Sequence, residues 1–458
     1  MKFTFRIFFS FLALLSLRSY ASFPVMAASL SQWGLLGMEI SGKEFPEMPR
    51  GKMEVPSAME DPGEAITLKQ ALSLALMKNP ELQSFSLEIR AREARILQSG
   101  LILNPVVQFE VENFLGSKEL RRFDGAETTL SLTQAFQLGG KRSKRVRLTS
   151  SERDLAKWDY EAKRLDVFAE ATKAFIDTVA KQERVKLAEN LARLAEQSYN
   201  TVVARVQAGK VSPIDEKKAS AALSLTRLEL ERAQHALEAS KKHLSATWGS
   251  SSPQFNKAEG QLILDASLPP FENLRWNLEK NPDLARWASE FEQRKSAVAL
   301  EEANRFPDLS LAGGVRRLNE FDETAYLFGV SLPIPFFNQN QGAVREAKNR
   351  LLKSEMEQKV AVLRVHSNLT EAYQRLSSSF AEATTLKNEV LPALQDAFAS
   401  VQEGYRFGKF GYLDVQDTQR IFFESNNQYI EALAIYRKAF ADIERLIGGG
   451  IGGSEGKE

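Results

Sequence analysis

The chain has 458 residues, 43% of them hydrophobic and 26% charged, with 60 Lys and Arg against 59 Asp and Glu, 3 His and no cysteine. Charges that nearly cancel exclude the broad basic field on which nucleic-acid binding depends. The absence of cysteine excludes disulfides, thiolate metal sites, cysteine nucleophiles and a cysteine-linked lipid anchor.

Residues 1–28 carry Lys2 and Arg6, an apolar run over 8–17, and small residues at Ser19-Tyr20-Ala21 and Ala27-Ala28. That order reads as a secretory signal peptide cleaved after 21 or 28, because the apolar core is too short to span a bilayer. Residues 29–63, rich in Pro, Met and Glu, form an N-terminal extension. Beyond the signal, no stretch approaches the roughly 20 consecutive apolar residues of a spanning helix.

The remainder repeats one plan twice, over 64–255 and 256–447. Leu68 to Leu82, with its Asn79-Pro80 step, is echoed by Leu274 to Leu284 with Asn281-Pro282. Asn104-Pro105 and Phe306-Pro307, Ser131 and Ser331, and Gly209-Lys210 and Gly408-Lys409 recur in the same order about 200 residues apart, as a tandem duplication requires. The join lies in the Gly, Ser and Pro-containing stretch 249–269.

Each half opens on an apolar-periodic helix, 68–103 and 271–305, broken near its Asn-Pro step because the residue before proline disfavours helix. A pair of strands follows. Val107, Phe109 and Val111 alternate with Gln108, Glu110 and Glu112; Leu130, Leu132 and Phe136 alternate with Ser131, Thr133 and Ala135. In the second half Leu309 and Leu311 alternate with Ser310 and Ala312, and Tyr326, Phe328, Val330 and Leu332 with Leu327, Gly329 and Ser331. Period-two patterning predicts strands with one apolar face and one polar or small face, joined by polar loops at 113–126 and 316–323.

A long helix then follows each pair: 141–208 holds neither Pro nor Gly, and 343–407 is interrupted only by Pro392 and Gly404. At 1.5 Å per residue, about 65 helical residues reach ~100 Å. A Gly-Lys turn reverses each chain into a return helix, 213–247 and 412–447, with Leu223, Leu228, Leu230 and Leu237 among charges, as in a coiled-coil hairpin. Residues 448–458 form a Gly-rich, flexible tail. The fold class is mainly α with a small β part. Four amphipathic strands cannot close a barrel alone, and single-chain barrels start at eight, so the strands must be pooled from several copies in a ring.

These features resemble the TolC-like outer-membrane efflux family, and more narrowly its CzcC-type heavy-metal branch. The resemblance is carried by Leu68-x-x-Ala71 with Asn79-Pro80-Glu81-Leu82, Asn104-Pro105, Ser131-Leu132-x-Gln134 with Leu138-Gly139-Gly140-Lys141-Arg142, and Tyr405-x-x-Gly408-Lys409-x-x-x-Leu413-Asp414. It implies a homotrimer with a twelve-stranded transmembrane β-barrel in outer-membrane lipid. Long helical hairpins would form an α-barrel across the periplasm. The partners it implies are a periplasmic adaptor and an inner-membrane pump, and the cargo is heavy-metal cations or small toxic molecules.

On the same resemblance Asp414 and Asp417 stand at acidic positions that narrow the periplasmic entrance, and Asp215 at the equivalent tip of the first half. Placed three apart on a helix, the first two share a face; an acid near a helix N-terminus is also favoured by the dipole alone, by ~0.3–1 kcal/mol. The turns with Gly209, Lys210, Gly408 and Lys409 are the expected adaptor-docking tips, although glycine at a tight reversal also has a purely conformational reason. Alternation turns Glu110 and Glu112 to a barrel lumen.

The run Gly139-Gly140-Lys141-Arg142 lacks the first glycine and the Ser or Thr of a phosphate loop. It reads either as the entry into helix at the membrane face, where its cations meet lipid phosphates, or as a solvated helix start. His235, His243 and His366 form no i, i+4 metal pair, and no catalytic set assembles, so no metal, cofactor or enzymatic activity is expected. The alternative to a conduit is a periplasmic coiled-coil adaptor or scaffold, for which one hairpin between compact β domains is the expected plan.

Overall fold

The computed structural model describes residues 63–449; the signal peptide, the extension up to residue 62 and the tail from residue 450 lie outside the described residues. The first half runs β1 (Ala65–Thr67), α1 (Leu68–Lys78), α2 (Pro80–Ser99), β2 (Val106–Glu112), β3 (Glu127–Phe136), α3 (Lys141–Gln207) and α4 (Pro213–Ala246). The second runs β4 (Lys257–Glu259), α5 (Phe271–Trp276) with a 3-10 turn at Asn277–Lys280, α6 (Pro282–Ala303), β5 (Leu309–Leu318), β6 (Glu323–Ser331), α7 (Gln341–Thr385), α8 (Leu391–Arg406) and α9 (Tyr412–Ile447).

The two Asn-Pro steps have the same local physics. Asn79 Oδ1 accepts from Leu82 N at 2.9 Å and caps α2, while its Nδ2 donates to Thr247 O at 2.8 Å. Asn281 Oδ1 accepts from Asp283 N at 2.6 Å and caps α6, while its Nδ2 donates to Leu446 O at 2.7 Å. Each asparagine thus satisfies an orphan N–H at a helix start and an orphan C=O at the end of its own half's return helix. Proline supplies the first helical residue, where its missing N–H costs nothing.

Around these joints lie two cores. One gathers Ile66, Leu74, Phe175, Val179, Leu244 and Trp248, and the other Leu274, Leu369, Leu376, Tyr436 and Ile443. The join between halves packs against both. β4 pairs in parallel with β1, a feature three residues long that periodicity does not reveal. Gln182 clamps β4 by donating to Ala258 O and accepting from Ala258 N, at 2.9 and 2.7 Å. Further along, Arg437 Nε donates to Ile263 O at 2.7 Å and Tyr436 Oη to Asp265 Oδ2 at 2.8 Å.

α3 is unbroken over 67 residues, a rod of ~100 Å. Its second-half counterpart is not continuous. Between α7 and α8 the residues Leu386–Val390 form a π-turn. Pro392 explains it: proline lacks the N–H that a carbonyl four residues earlier needs, and its ring crowds that turn, so the helix widens locally. Helix ends also fall short of two expected limits, since α2 stops at Ser99 and α6 at Ala303, just before the extended X-Pro steps Asn104-Pro105 and Phe306-Pro307.

The four longer strands make one antiparallel sheet in the order β2-β3-β5-β6. β5 extends three residues past the expected boundary, so Arg316, Arg317 and Leu318 belong to the strand, and residues 319–322 alone make the turn into β6. The strand continues because Val315 and Arg317 share one face while Arg316 finds polar partners on the other.

Candidate functional site

The register separates the sheet into two chemically distinct faces. Gln108, Glu110 and Glu112 pair with Ser131, Thr129 and Glu127, which in turn pair with Gly314, Arg316 and Leu318; directly opposed residues share a face. Arg316 lies at the centre of this polar face. It donates from Nε to Thr129 Oγ1 at 2.9 Å, from Nη1 to Glu127 Oε2 at 2.8 Å and from Nη2 to Glu112 Oε2 at 3.4 Å. Glu110 accepts from Gln108 Nε2 at 2.5 Å. These partly exposed ion pairs contribute at most about 1 kcal/mol each, so their importance is that they hold charges in place on one face of the sheet.

The opposite face carries Val107, Phe109, Leu130, Leu132, Val330 and two large aromatics, Tyr326 at 82% and Phe328 at 79% exposure. Water is a poor solvent for such a continuous apolar surface. Both edges, β2 and β6, are unpaired among the described residues. No helix among the described residues is long and apolar enough to cross a membrane.

The other end of the long helices is built around two reversals of the same geometry. Gly209 has φ +70° and Gly408 φ +78°, the left-handed region that glycine enters without steric cost. In each turn the next residue's N–H closes a carbonyl five back: Lys210 N donates to Arg205 O at 2.9 Å and Lys409 N to Gly404 O at 2.8 Å. Lys210 and Lys409 are exposed.

α3, α4, α8 and α9 meet just above these turns in a small cluster of Val202, Ala219, Tyr405, Tyr412 and Val415. Arg205 bridges the two hairpins. Its Nη1 donates to Tyr405 O at 2.7 Å, and its guanidinium lies 4.5 Å from the centre of the Tyr405 ring. Burial raises the Tyr412 hydroxyl above its ordinary pKa, with the neighbouring Tyr405 and Asp215 adding to the rise, so Asp215 belongs to this cluster electrostatically.

Asp414 and Asp417 follow the second turn on α9. Asp414 Oδ2 accepts from Gly411 N at 2.8 Å, the helix-capping arrangement, and Asp417 Oδ1 accepts from Arg420 Nη2 at 2.7 Å. Both remain exposed. Sequence reasoning passed over Arg205 and Arg316. Neither has a distinguishing local signal: Arg205 sits in a charged helix, and Arg316 stands beside a second arginine at the end of its strand.

The profile of the family described as outer membrane efflux protein matches residues 71–250 and again 274–449. The chain belongs to the outer membrane efflux protein family. Over 398 residues it is 34% identical to the cobalt-zinc-cadmium resistance protein CzcC of Cupriavidus metallidurans, a match covering 87% of this chain and 94% of that protein. It is 28% identical over 300 residues to the nickel and cobalt resistance protein CnrC of the same organism, covering 65% of this chain and 70% of the relative. The fold matches that of CusC with a TM-score of 0.69 at 18% identity, over 84% of this chain and 92% of the other. It also matches the outer membrane protein VceC of Vibrio cholerae with a TM-score of 0.67 at 16% identity, over 84% of this chain and 96% of the other.

This outer-membrane efflux protein is therefore a channel component located in the outer membrane, with a long helical part in the periplasm, and its relatives are efflux proteins rather than enzymes. The resemblance to the TolC-like family and its CzcC-type branch holds, and the adaptor or scaffold alternative falls away.

Proposed function

We propose that this efflux protein is the exit duct of a tripartite system, closing as a homotrimer and releasing heavy-metal cations across the outer membrane. The observation that carries the trimeric duct is the sheet itself. Four strands with two open edges, one apolar face and one charged face cannot rest in lipid singly, because unpaired backbone groups there cost several kcal/mol each. Three copies supply a closed barrel of twelve strands, with the apolar face outward and Glu110 and Glu112 lining the lumen together with Arg316.

The same symmetry gathers the hairpins into a tube. Its tips, with Gly209, Lys210, Gly408 and Lys409, meet a periplasmic adaptor, and an inner-membrane pump supplies the energy. Asp414, Asp417 and Asp215 then stand near the entrance, where a ring of carboxylates attracts cations. The capping bond of Asp414 is compatible with this role, since its carboxylate stays exposed while it fixes the helix start. Cationic cargo is supported by the named metals of the CzcC and CnrC relatives and by the acidic entrance.

The test is accumulation of cobalt, zinc and cadmium in cells lacking the gene, complemented with wild type or with Asp414→Ala/Asp417→Ala. Wild type should lower cell-associated metal several-fold, and the double mutant should do so less well. Unchanged metal content with an altered content of organic compounds would overturn the cation assignment.

A further inference from the structure

On the polar face of the sheet the carboxylates outnumber the cations. Among the strand residues turned to this face are Glu110, Glu112, Glu127 and Glu323, and Arg316 is the only base there among the described residues. Glu112 and Glu127 stand directly opposite one another on β2 and β3. Facing Cβ atoms in such a pair lie about 5 Å apart, and like charges placed so repel. Arg316, one strand further on and one row in from them, reaches into this pair.

Its Nη1 donates to Glu127 Oε2 at 2.8 Å and its Nη2 to Glu112 Oε2 at 3.4 Å, while Nε donates to Thr129 Oγ1 at 2.9 Å and fixes the plane of the fork. The remaining oxygen of Glu127, Oε1, accepts from Asn113 Nδ2 at 3.1 Å. Both oxygens of Glu127 are thus engaged within the sheet, and its side chain is 25% exposed against 53% for Glu112. Glu110 accepts only from the neutral Gln108, and Glu323 is exposed without an ion pair among the described residues. The four acids therefore divide into two that are open to water and two that are joined across an internal cation.

We infer that Arg316 is a built-in counter-cation that keeps the barrel wall from retaining divalent metal. Two opposed carboxylates offer a divalent cation oxygen ligands from both sides. The guanidinium occupies that place permanently, because arginine stays charged at any working pH. Passage of an ion needs attraction strong enough to draw it in and weak enough to let it leave. Glu110 and Glu323 supply the attraction, and Arg316 removes the pair that would trap the ion. The planar fork matters as well as the charge: a lysine ammonium is a point charge that cannot hold both carboxylates in fixed geometry. The inference rests on the proposed reading of the polar face as the lumen wall and of metal cations as the cargo.

The test is equilibrium dialysis of the full-length protein in detergent against cobalt chloride. Arg316→Gln should bind several-fold more cobalt than wild type, and adding Glu112→Gln/Glu127→Gln should return it to the wild-type level. Arg316→Lys keeps the charge, and so serves where Arg316→Gln does not assemble; it should bind an intermediate amount. Equal binding by wild type and both single variants overturns the inference, and so does excess binding that survives loss of the two glutamates. The lumen reading is checked separately, since a chain without cysteine allows a single nitroxide label at Ala325→Cys, in the same row as Arg316. In phospholipid vesicles that label should be several-fold more accessible to a water-soluble nickel chelate than to oxygen. A label reached mainly by oxygen refutes the lumen reading, whatever the cobalt result.

Discussion

The two hairpins are joined in very different ways at mid-length and at the tip. At mid-length α3 presents Asp166, Lys173, Asp177 and Arg184 to Arg445, Asp442, Lys438 and Glu431 of the antiparallel α9. The first three pairs measure 2.7, 2.8 and 2.8 Å. Signs alternate along each helix, so a slide of one heptad would set Asp166 against Asp442 and Asp177 against Glu431. Partly exposed pairs contribute about 1 kcal/mol or less, which makes the ladder chiefly a device for register. Stability comes from the buried core beside it. At the tip five buried residues and the bridge of Arg205 join the same hairpins. The two hairpins are thus fixed to one another along mid-length and joined at the tip by little, with the π-turn at Leu386–Val390 lying between the two regimes.

The largest expected effect comes from breaking the fixed region. Leu369 is completely buried among Leu376, Tyr436 and Ile443, and Leu369→Ala should cost about 2–5 kcal/mol. Thermal unfolding in detergent should show a marked fall in Tm. Next in size, Arg445→Ala would remove the partner of both Asp166, at 2.7 Å, and Asp283, at 2.5 Å. The loss should be about 2 kcal/mol, because charged hydrogen bonds are lost and two carboxylates are left together. Denaturant midpoints would measure it, and a loss as small as that of an isolated surface pair would show the ladder to be dispensable.

A smaller effect of opposite sign is expected at Asp159. Burial raises its carboxyl above the ordinary range, Arg286 at 3.1 Å opposes the rise, and Glu290 adds to it. An acid whose folded pKa exceeds its unfolded value destabilises the fold above that folded pKa, and the penalty fades as pH falls through it. Asp159→Asn should therefore be slightly more stable than wild type at neutral pH. The advantage should shrink as pH is lowered into the carboxylate range, as melting curves across that range would register.

Much of this arrangement is legible in the sequence because it is local. The Asn-Pro steps announce helix breaks, period-two alternation separates Phe109 from Glu110, and Gly209 and Gly408 mark reversals. What stays hidden is long-range. Nothing near Lys173 says that its partner is Asp442, and nothing near Arg205 points to Tyr405. Pro392 signals an interruption, but whether the helix kinks or widens depends on what packs around it. The pairing of β1 with β4 is too short for periodicity to register, and Arg316 is masked by a second arginine at the loop end.

The weak join at the tip, read as a latch on the proposed duct, is most directly tested by single-channel conductance in planar bilayers, comparing wild type with Arg205→Ala. The account predicts a low conductance for wild type, a several-fold rise for Arg205→Ala and nearly equal melting temperatures. Equal conductance at equal stability would contradict the latch, and failure of the folded wild type to conduct would contradict the duct.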